Sequence, residues 1–186
     1  MTAAVSNADV TPLVGKYAID PTHTEVGFVA RHLMISKVRG RFGGVSGDIN
    51  ITDPVEESSV DVTIDASTID TGTPDRDAHL RSPDFFDVEK YPTLKFRSTE
   101  VRATSDSTLE VVGDLTILDV TKPVTLQTTY EGFGPSPFGD ERIGLSAVTE
   151  IDREDWGLTW NAAIETGGVV VGKKVKLEIE VEAIRS

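Results

Sequence analysis

The stretch "SSVDVTIDAS", residues 58–67, alternates without a break: Val60, Val62, Ile64 and Ala66 share one parity, and Asp61, Thr63 and Asp65 share the other. Successive side chains of an extended chain point to opposite faces, so this segment reads as a strand with one dry face and one wet face. The same reading spreads outward in both directions. "HTEVGFVARHLM" (23–34) groups Val26, Phe28, Ala30 and His32 against Glu25, Gly27 and Arg31. "TLKFRSTEV" (93–101) sets Leu94, Phe96 and Ser98 against Lys95, Arg97 and Thr99. "PVTLQTTYEGF", "RIGLSAVTEID" and "KKVKLEIEVEA" continue the pattern, the last with Val175, Leu177, Ile179 and Val181 facing one way. With turn signals at Asp53-Pro54, Gly113-Asp114 and Gly134-Pro135, these segments predict roughly eight antiparallel strands, in a sandwich or a barrel. Gly40, Gly43, Gly44 and Gly47 interrupt one strand pattern and predict bulges and sharp coiling there.

One region breaks the alternation. "TPDRDAHLRSPDFFDVEKYPTLKF" (73–96) carries helix punctuation instead. Thr73 suits an N-cap, Pro74 the first helical position, and Asp75 the positive end of the helix dipole. Ser82-Pro83 ends that turn and offers the start of another, until Tyr91-Pro92 stops the excursion. Leu80, Phe85 and Phe86 supply its apolar side. A short helical insert between two strands is predicted.

The 186 residues suit one domain with a substantial core or an internal cavity. The 31 acidic residues against 18 Lys and Arg leave a formal charge of -13, which opposes nonspecific binding to a phosphate backbone. The absence of cysteine removes disulfides, thiolate nucleophiles and zinc-thiolate sites. The opening "MTAAVSNADVTP" lacks a basic segment followed by an apolar run, and no stretch approaches the ~18 apolar residues of a membrane span. A cytoplasmic protein is the expectation, with residues 1–14 as a flexible N-terminal segment and 15–186 as the folded domain.

Motifs for chemistry are sparse. "GGVVVGKK" (167–174) has the spacing of a phosphate loop, but Lys174 stands where Ser or Thr would hold magnesium, and a strand pattern follows where a helix is needed. The segment reads as a turn leading into a strand. No G-x-S-x-G elbow is present, and His23, His32 and His79 lack compact metal-ligand spacing. His32 shares parity with Val26 and Phe28, which suits either a core histidine or a polar contact in a pocket. Arg31, Lys37, Arg39 and Arg41 form a basic run without an acid, fit for an anionic headgroup or membrane. Because Lys37, Arg39 and Arg41 share parity opposite Val38 and Phe42, an ordinary solvent-facing strand is the favoured reading. Phe85, Phe86, Trp156 and Trp160 suit either a ligand cavity or plain core packing.

Four ordered blocks, "IDPTHTEVGFVARHLMISKVRGRF", "RDAHLRSPDFFDVEKYPTLKFRS", "VVGDLTILDVTKPVTL" and "EIDREDWGL", together resemble the YceI-like polyisoprenoid-binding family from about Tyr17 to Ile184. The resemblance implies an all-β fold, an extended, lipocalin-like, eight-stranded antiparallel β-barrel. It also implies a long isoprenoid or similar amphipathic lipid held inside, and a homodimer. No metal, redox cofactor or catalytic residue is implied. Matching positions include Phe28, His32, Phe42, Asp77, Leu80, Phe86, Pro92, Phe96, Leu115, Thr116 and Pro123. With the inward parities, the expected ligand contacts are Val26, Phe28, His32, Met34, Phe42, Val62, Ile64, Asp77, Leu80, Phe85, Phe86, Leu94, Phe96, Leu115, Ile117, Leu126, Trp156 and Trp160. Leu80, Phe85 and Phe86 are expected to cover the barrel, Asp77 to anchor the cover, and Arg76, Asp77, His79 and Arg81 to form its polar outer side. A hydrolase acting on a lipid-like substrate in the same cavity is the alternative; loss of turnover on changing His32 or Asp77 would favour it.

Overall fold

In a computed structural model, which describes residues 10–165 and 167–186, the alternating segments form one continuous antiparallel sheet. Its strands are β1 (Gly15–Ile19), β2 (Glu25–His32), β3 (Ser36–Phe42), β4 (Val45–Ile51), β5 (Ser59–Asp65), β6 (Ile69–Asp70), β7 (Thr93–Ala103), β8 (Thr108–Ile117), β9 (Val120–Pro135), β10 (Glu141–Asp152) and β11 (Val171–Arg185). Eight of them close a barrel in the order β1-β4-β5-β7-β8-β9-β10-β11, with β11 returning to β1 at Tyr17↔Arg185 and Ile19↔Ala183. The length of β11 lets it serve two neighbours on one edge. Its C-terminal end pairs with β1, whereas Val171–Glu180 pairs with β2. The β2–β3 hairpin therefore extends the wall beyond the ring, and β6 covers the free edge of β3 at Phe42↔Ile69.

The inward parity of β5 holds: Ile64 is buried, Val60 and Val62 are half-buried, and Asp61 and Asp65 are exposed. Two turn signals fall elsewhere than expected. Gly113-Asp114 lies inside β8, and Gly134-Pro135 ends β9 before the turn at residues 136–139. The glycines also have a different task. Register runs unbroken through Gly40 in β2–β3 and Gly47 in β4–β5, so neither is a bulge. The ring of Phe28 lies over Gly40 and the ring of Phe96 over Gly113, in each case where a Cβ would sit. Glycine leaves an aromatic ring room to lie flat across the neighbouring strand. Gly43 and Gly44 lie between β3 and β4.

The helical insert is α1 (Pro74–Arg81). Thr73 occupies the N-cap but its hydroxyl does not cap; it accepts a hydrogen bond from Arg76 Nη2 at 3.1 Å. No second helix starts at Ser82-Pro83, where turns carry the chain through Lys90. "GGVVVGKK" leads into a strand, with Gly172 and Lys173 already inside β11. Of residues 1–14, residues 1–9 lie outside the described residues. Val10 and Leu13 are buried, and Thr11–Leu13 forms a turn of 3-10 helix packed against the barrel. Among the described residues, no helix is long and apolar enough to cross a membrane.

Candidate functional site: the barrel interior

The interior divides in two. One half holds a partly open cavity of about 150 Å³. It is walled by inward residues of the ring strands, including Ile49, Val62, Val111, Val124, Leu145 and Ile179. Val10 and Leu13 close over one side. The five hydroxyl-bearing residues on this wall are Thr24, Ser58, Thr128, Tyr130 and Ser146. Four of these hydroxyls are already engaged. Thr24 donates to the Glu182 carbonyl, Ser58 accepts from the Thr52 amide, Thr128 donates to the Leu126 carbonyl, and Ser146 donates to Glu131. Tyr130 differs. It is 6% exposed and its hydroxyl has no hydrogen-bond partner among the described residues. Burial raises its pKa above the usual phenol value, which keeps it a neutral donor.

The second half is filled. Phe28, Phe42 and Phe86 pack in sequence, the first pair tilted and the second edge to face, with ring centroids 5.9 and 5.5 Å apart. Leu80, Leu94, Ile117 and Trp156 pack with them into the same core. The Trp156 indole donates to the Leu115 carbonyl at 2.9 Å.

The eighteen expected contact residues therefore separate into groups. Val26, Val62, Ile64, Phe96, Leu115 and Leu126 line the cavity. Phe28, Phe42, Leu80, Phe86, Leu94, Ile117 and Trp156 belong to the filled half. Phe85 and Trp160 meet His79 at centroid distances of 5.1 and 4.6 Å, where α1 touches the segment before β11. His32 is half-buried at the end of β2, off the cavity wall, and Met34 is 59% exposed on the β2–β3 turn. Asp77 is buried, and its carboxylate accepts from the Thr71 amide at 2.8 Å and hydroxyl at 2.6 Å.

The expected polar outer side of the insert is instead a seam. Besides the Asp77 bonds, Arg76 donates to the Thr71 hydroxyl at 2.7 Å and carbonyl at 3.0 Å. Arg81 donates to the carbonyls of Ser67 at 2.9 Å and Ile69 at 2.8 Å. These residues tie α1 back to the chain that leads into it. The reason is local: residues 67–72 end the sheet with unpaired carbonyls, and long cationic side chains satisfy them. Only His79 of this set is turned toward the surface groups, meeting Asp84 at 2.9 Å.

The YceI-like domain profile matches residues 17–183, nearly the whole barrel. The chain belongs to the YceI-like family. A UPF0312 protein of Vibrio cholerae is 34% identical over 187 residues, covering 98% of this chain and 94% of its own length. A UPF0312 protein of Staphylococcus epidermidis is 37% identical over 172 residues, covering 90% and 96%. Among solved structures, a YceI protein of Campylobacter jejuni superposes with TM-score 0.71 at 32% identity, over 84% of this chain and 90% of that one. A polyisoprenoid-binding domain from Saccharophagus degradans shares the fold at TM-score 0.72 and 18% identity, over 91% and 98%.

Two polar features of this YceI-like barrel escaped the sequence reading. Arg153 is 4% exposed, and its guanidinium donates to four carbonyls, of Gly172, Leu158, Trp160 and Val171. It fastens the segment before β11 to the barrel end, and burial lowers its pKa. Its parity with Ile143 and Ile151 was the available signal; its neighbours Asp152, Glu154 and Asp155 disguised it as surface charge. The second is Asp20, His23 and Glu182, whose ligand atoms approach one another closely enough for a metal ion. Arg142 already occupies the centre, 2.9 Å from Asp20 and 2.5 Å from Glu182. A guanidinium supplies the positive charge that a metal would bring.

Proposed function

We propose that this barrel binds the chain of a polyisoprenoid or similar long-chain amphiphile and carries it as a sequestering or transport protein, and that it performs no chemistry on it. The observation that carries the reading is the cavity, walled by the ring strands and presenting a wholly apolar surface. Membership of the YceI-like family supports it, as does the shared fold of a polyisoprenoid-binding domain. His32 and Asp77, the groups that a hydrolytic reading would use, stand apart, with Asp77 committed to Thr71.

Each methylene moved from water into such a cavity contributes about 0.8 kcal/mol. A bilayer offers the same gain, so the tail's transfer energy largely cancels for a lipid already in a membrane. Selectivity then rests on cavity shape and on the polar end of the lipid. At about 150 Å³ the open half is too small for a long chain, since ordinary ligand pockets start near ~300 Å³. In our reading the chain displaces part of the Phe28–Phe42–Phe86 cluster and runs on into the filled half.

Native mass spectrometry of the purified protein, with organic extraction of whatever is carried, tests this directly. A co-purifying long-chain lipid, or uptake of an added isoprenoid alcohol at one equivalent, is expected. A protein that carries no lipid and takes up none when challenged would leave a filled-core interaction module as the better description.

A further inference from the structure

The β2–β3 turn is costly in three ways. Leu33 and Met34 both adopt left-handed backbone conformations, at φ 52° and 58°, which Asn and Gly adopt with far less strain. Beside them, Met34 is 59% and Ile35 80% exposed. Just behind, Arg31 and Lys37 are direct register partners on the outer face of the hairpin. Like charges directly opposite each other destabilise a strand pair. The rest of the basic run is neutralised: Arg39 pairs with Glu178 at 3.2 Å, and Arg41 with Glu25 at 3.2 Å. Arg31 and Lys37 have no ion-pair partner among the described residues, whereas Lys174 on β11 lies directly opposite Asp152 of β10. Glu165, the acid of the adjacent segment that reaches Leu33 through Val170, pairs with none of them.

In a chain of charge -13, uncompensated cations next to two exposed aliphatic side chains need an anionic and apolar partner together. From this we infer that the tip of the β2–β3 hairpin docks on an anionic lipid bilayer. Met34 and Ile35 enter the headgroup boundary, and Arg31 and Lys37 rest against lipid phosphates. A bilayer surface matches this combination, because it presents negative charge and hydrocarbon within a few ångströms of each other. The overall negative charge repels the rest of the barrel, so contact is confined to this end. The inference holds whatever the barrel carries.

Co-sedimentation with phosphatidylcholine vesicles, with and without a third of phosphatidylglycerol, tests it. The protein is expected to bind the anionic vesicles, to lose binding as salt rises, and to leave neutral vesicles largely free. Arg31→Gln with Lys37→Gln should weaken binding about thirtyfold, near fivefold per charge. Met34→Ser with Ile35→Ser should weaken it on the same vesicles. Circular dichroism should show both variants folded, since the side chains are exposed. Phe138→Ser is the control, because Phe138 is 82% exposed on the β9–β10 turn at the opposite end of the barrel. Binding independent of anionic lipid would overturn the inference. So would an equal loss in the Phe138 variant, or a dimer that dissociates on changing Met34 and Ile35 without any vesicle binding.

Discussion

Tyr130 and Arg153 show how one polar side chain can be buried for opposite reasons. Arg153 is saturated, with four carbonyl acceptors around its guanidinium. Arg153→Met keeps the bulk and removes the donors. It should cost about 2 kcal/mol in urea melts and speed amide exchange between residues 157 and 171, because buried acceptors are left unpaired. Unchanged stability would mean that water replaces the guanidinium. Tyr130 is unsaturated, so Tyr130→Phe should leave the melting temperature unaltered. The same change should leave binding of an isoprenoid alcohol and of the matching hydrocarbon unaltered alike, because the surface that the cavity presents is apolar throughout. A loss confined to the alcohol would show instead that the Tyr130 hydroxyl reaches the lipid.

At the scale of elements, the insert between β6 and β7 joins the barrel through two different contacts. Phe86 reaches inward to the Phe42 ring, whereas Phe85 lies sideways against His79 and Trp160. The two phenylalanines therefore part company. Phe86→Ala should enlarge the interior and speed release of a bound fluorescent isoprenoid several-fold. Phe85→Ala should instead loosen α1 against the segment before β11. Asp77→Ala removes the acceptor for two Thr71 bonds, and should raise amide exchange over residues 71–82 while the ring strands keep their protection. If release and exchange stay at wild-type rates in all three variants, the insert is a fixed part of the wall and lipid enters elsewhere.

For the whole molecule, closure of the barrel near the β1 end brings Asp20, His23, Arg142 and Glu182 together from β10, β11 and the β1–β2 connection. The hydrogen bond from His23, with those from Thr22, holds Asp20 far below the usual carboxylate range. The same bond with Asp20 raises His23. A lowered acid stabilises above its unfolded pKa, about 3.9, and that contribution is lost as pH falls through the folded value. A raised histidine stabilises below its unfolded pKa, about 6.5, and that contribution is lost as pH rises through the folded value. Thermal stability should thus peak between about pH 4 and 6.5. His23→Gln should lie below wild type in that window and converge on it at higher pH; a gap that stays constant with pH would dissociate His23 from the effect. Because the His23 side chain is 57% exposed, the effect should be small.

The strands were legible because parity is a local property. Val60, Val62 and Ile64 against Asp61 and Asp65 required the fold to have an inside, and the helix punctuation from Thr73 to Tyr91 required an insert. The family blocks then named the barrel. Parity also carried Arg153 and Tyr130, the latter in step with Val124, Leu126 and Thr128. What no parity states is how far along the barrel each inward residue sits. Whether Phe96 borders open space while Leu94, two residues away, is packed solid depends on which side chains arrive from other strands at that height. The glycines illustrate the same limit. Gly113 looked like a turn because the ring that covers it belongs to Phe96, on the neighbouring strand. The charges of α1 looked external for the same reason: their acceptors, the carbonyls of Ser67, Ile69 and Thr71, appear beside them only once the chain has turned back. Alternation along one strand determined which residues face inward. Contacts between strands, set by register and closure, decided which of those residues border open space.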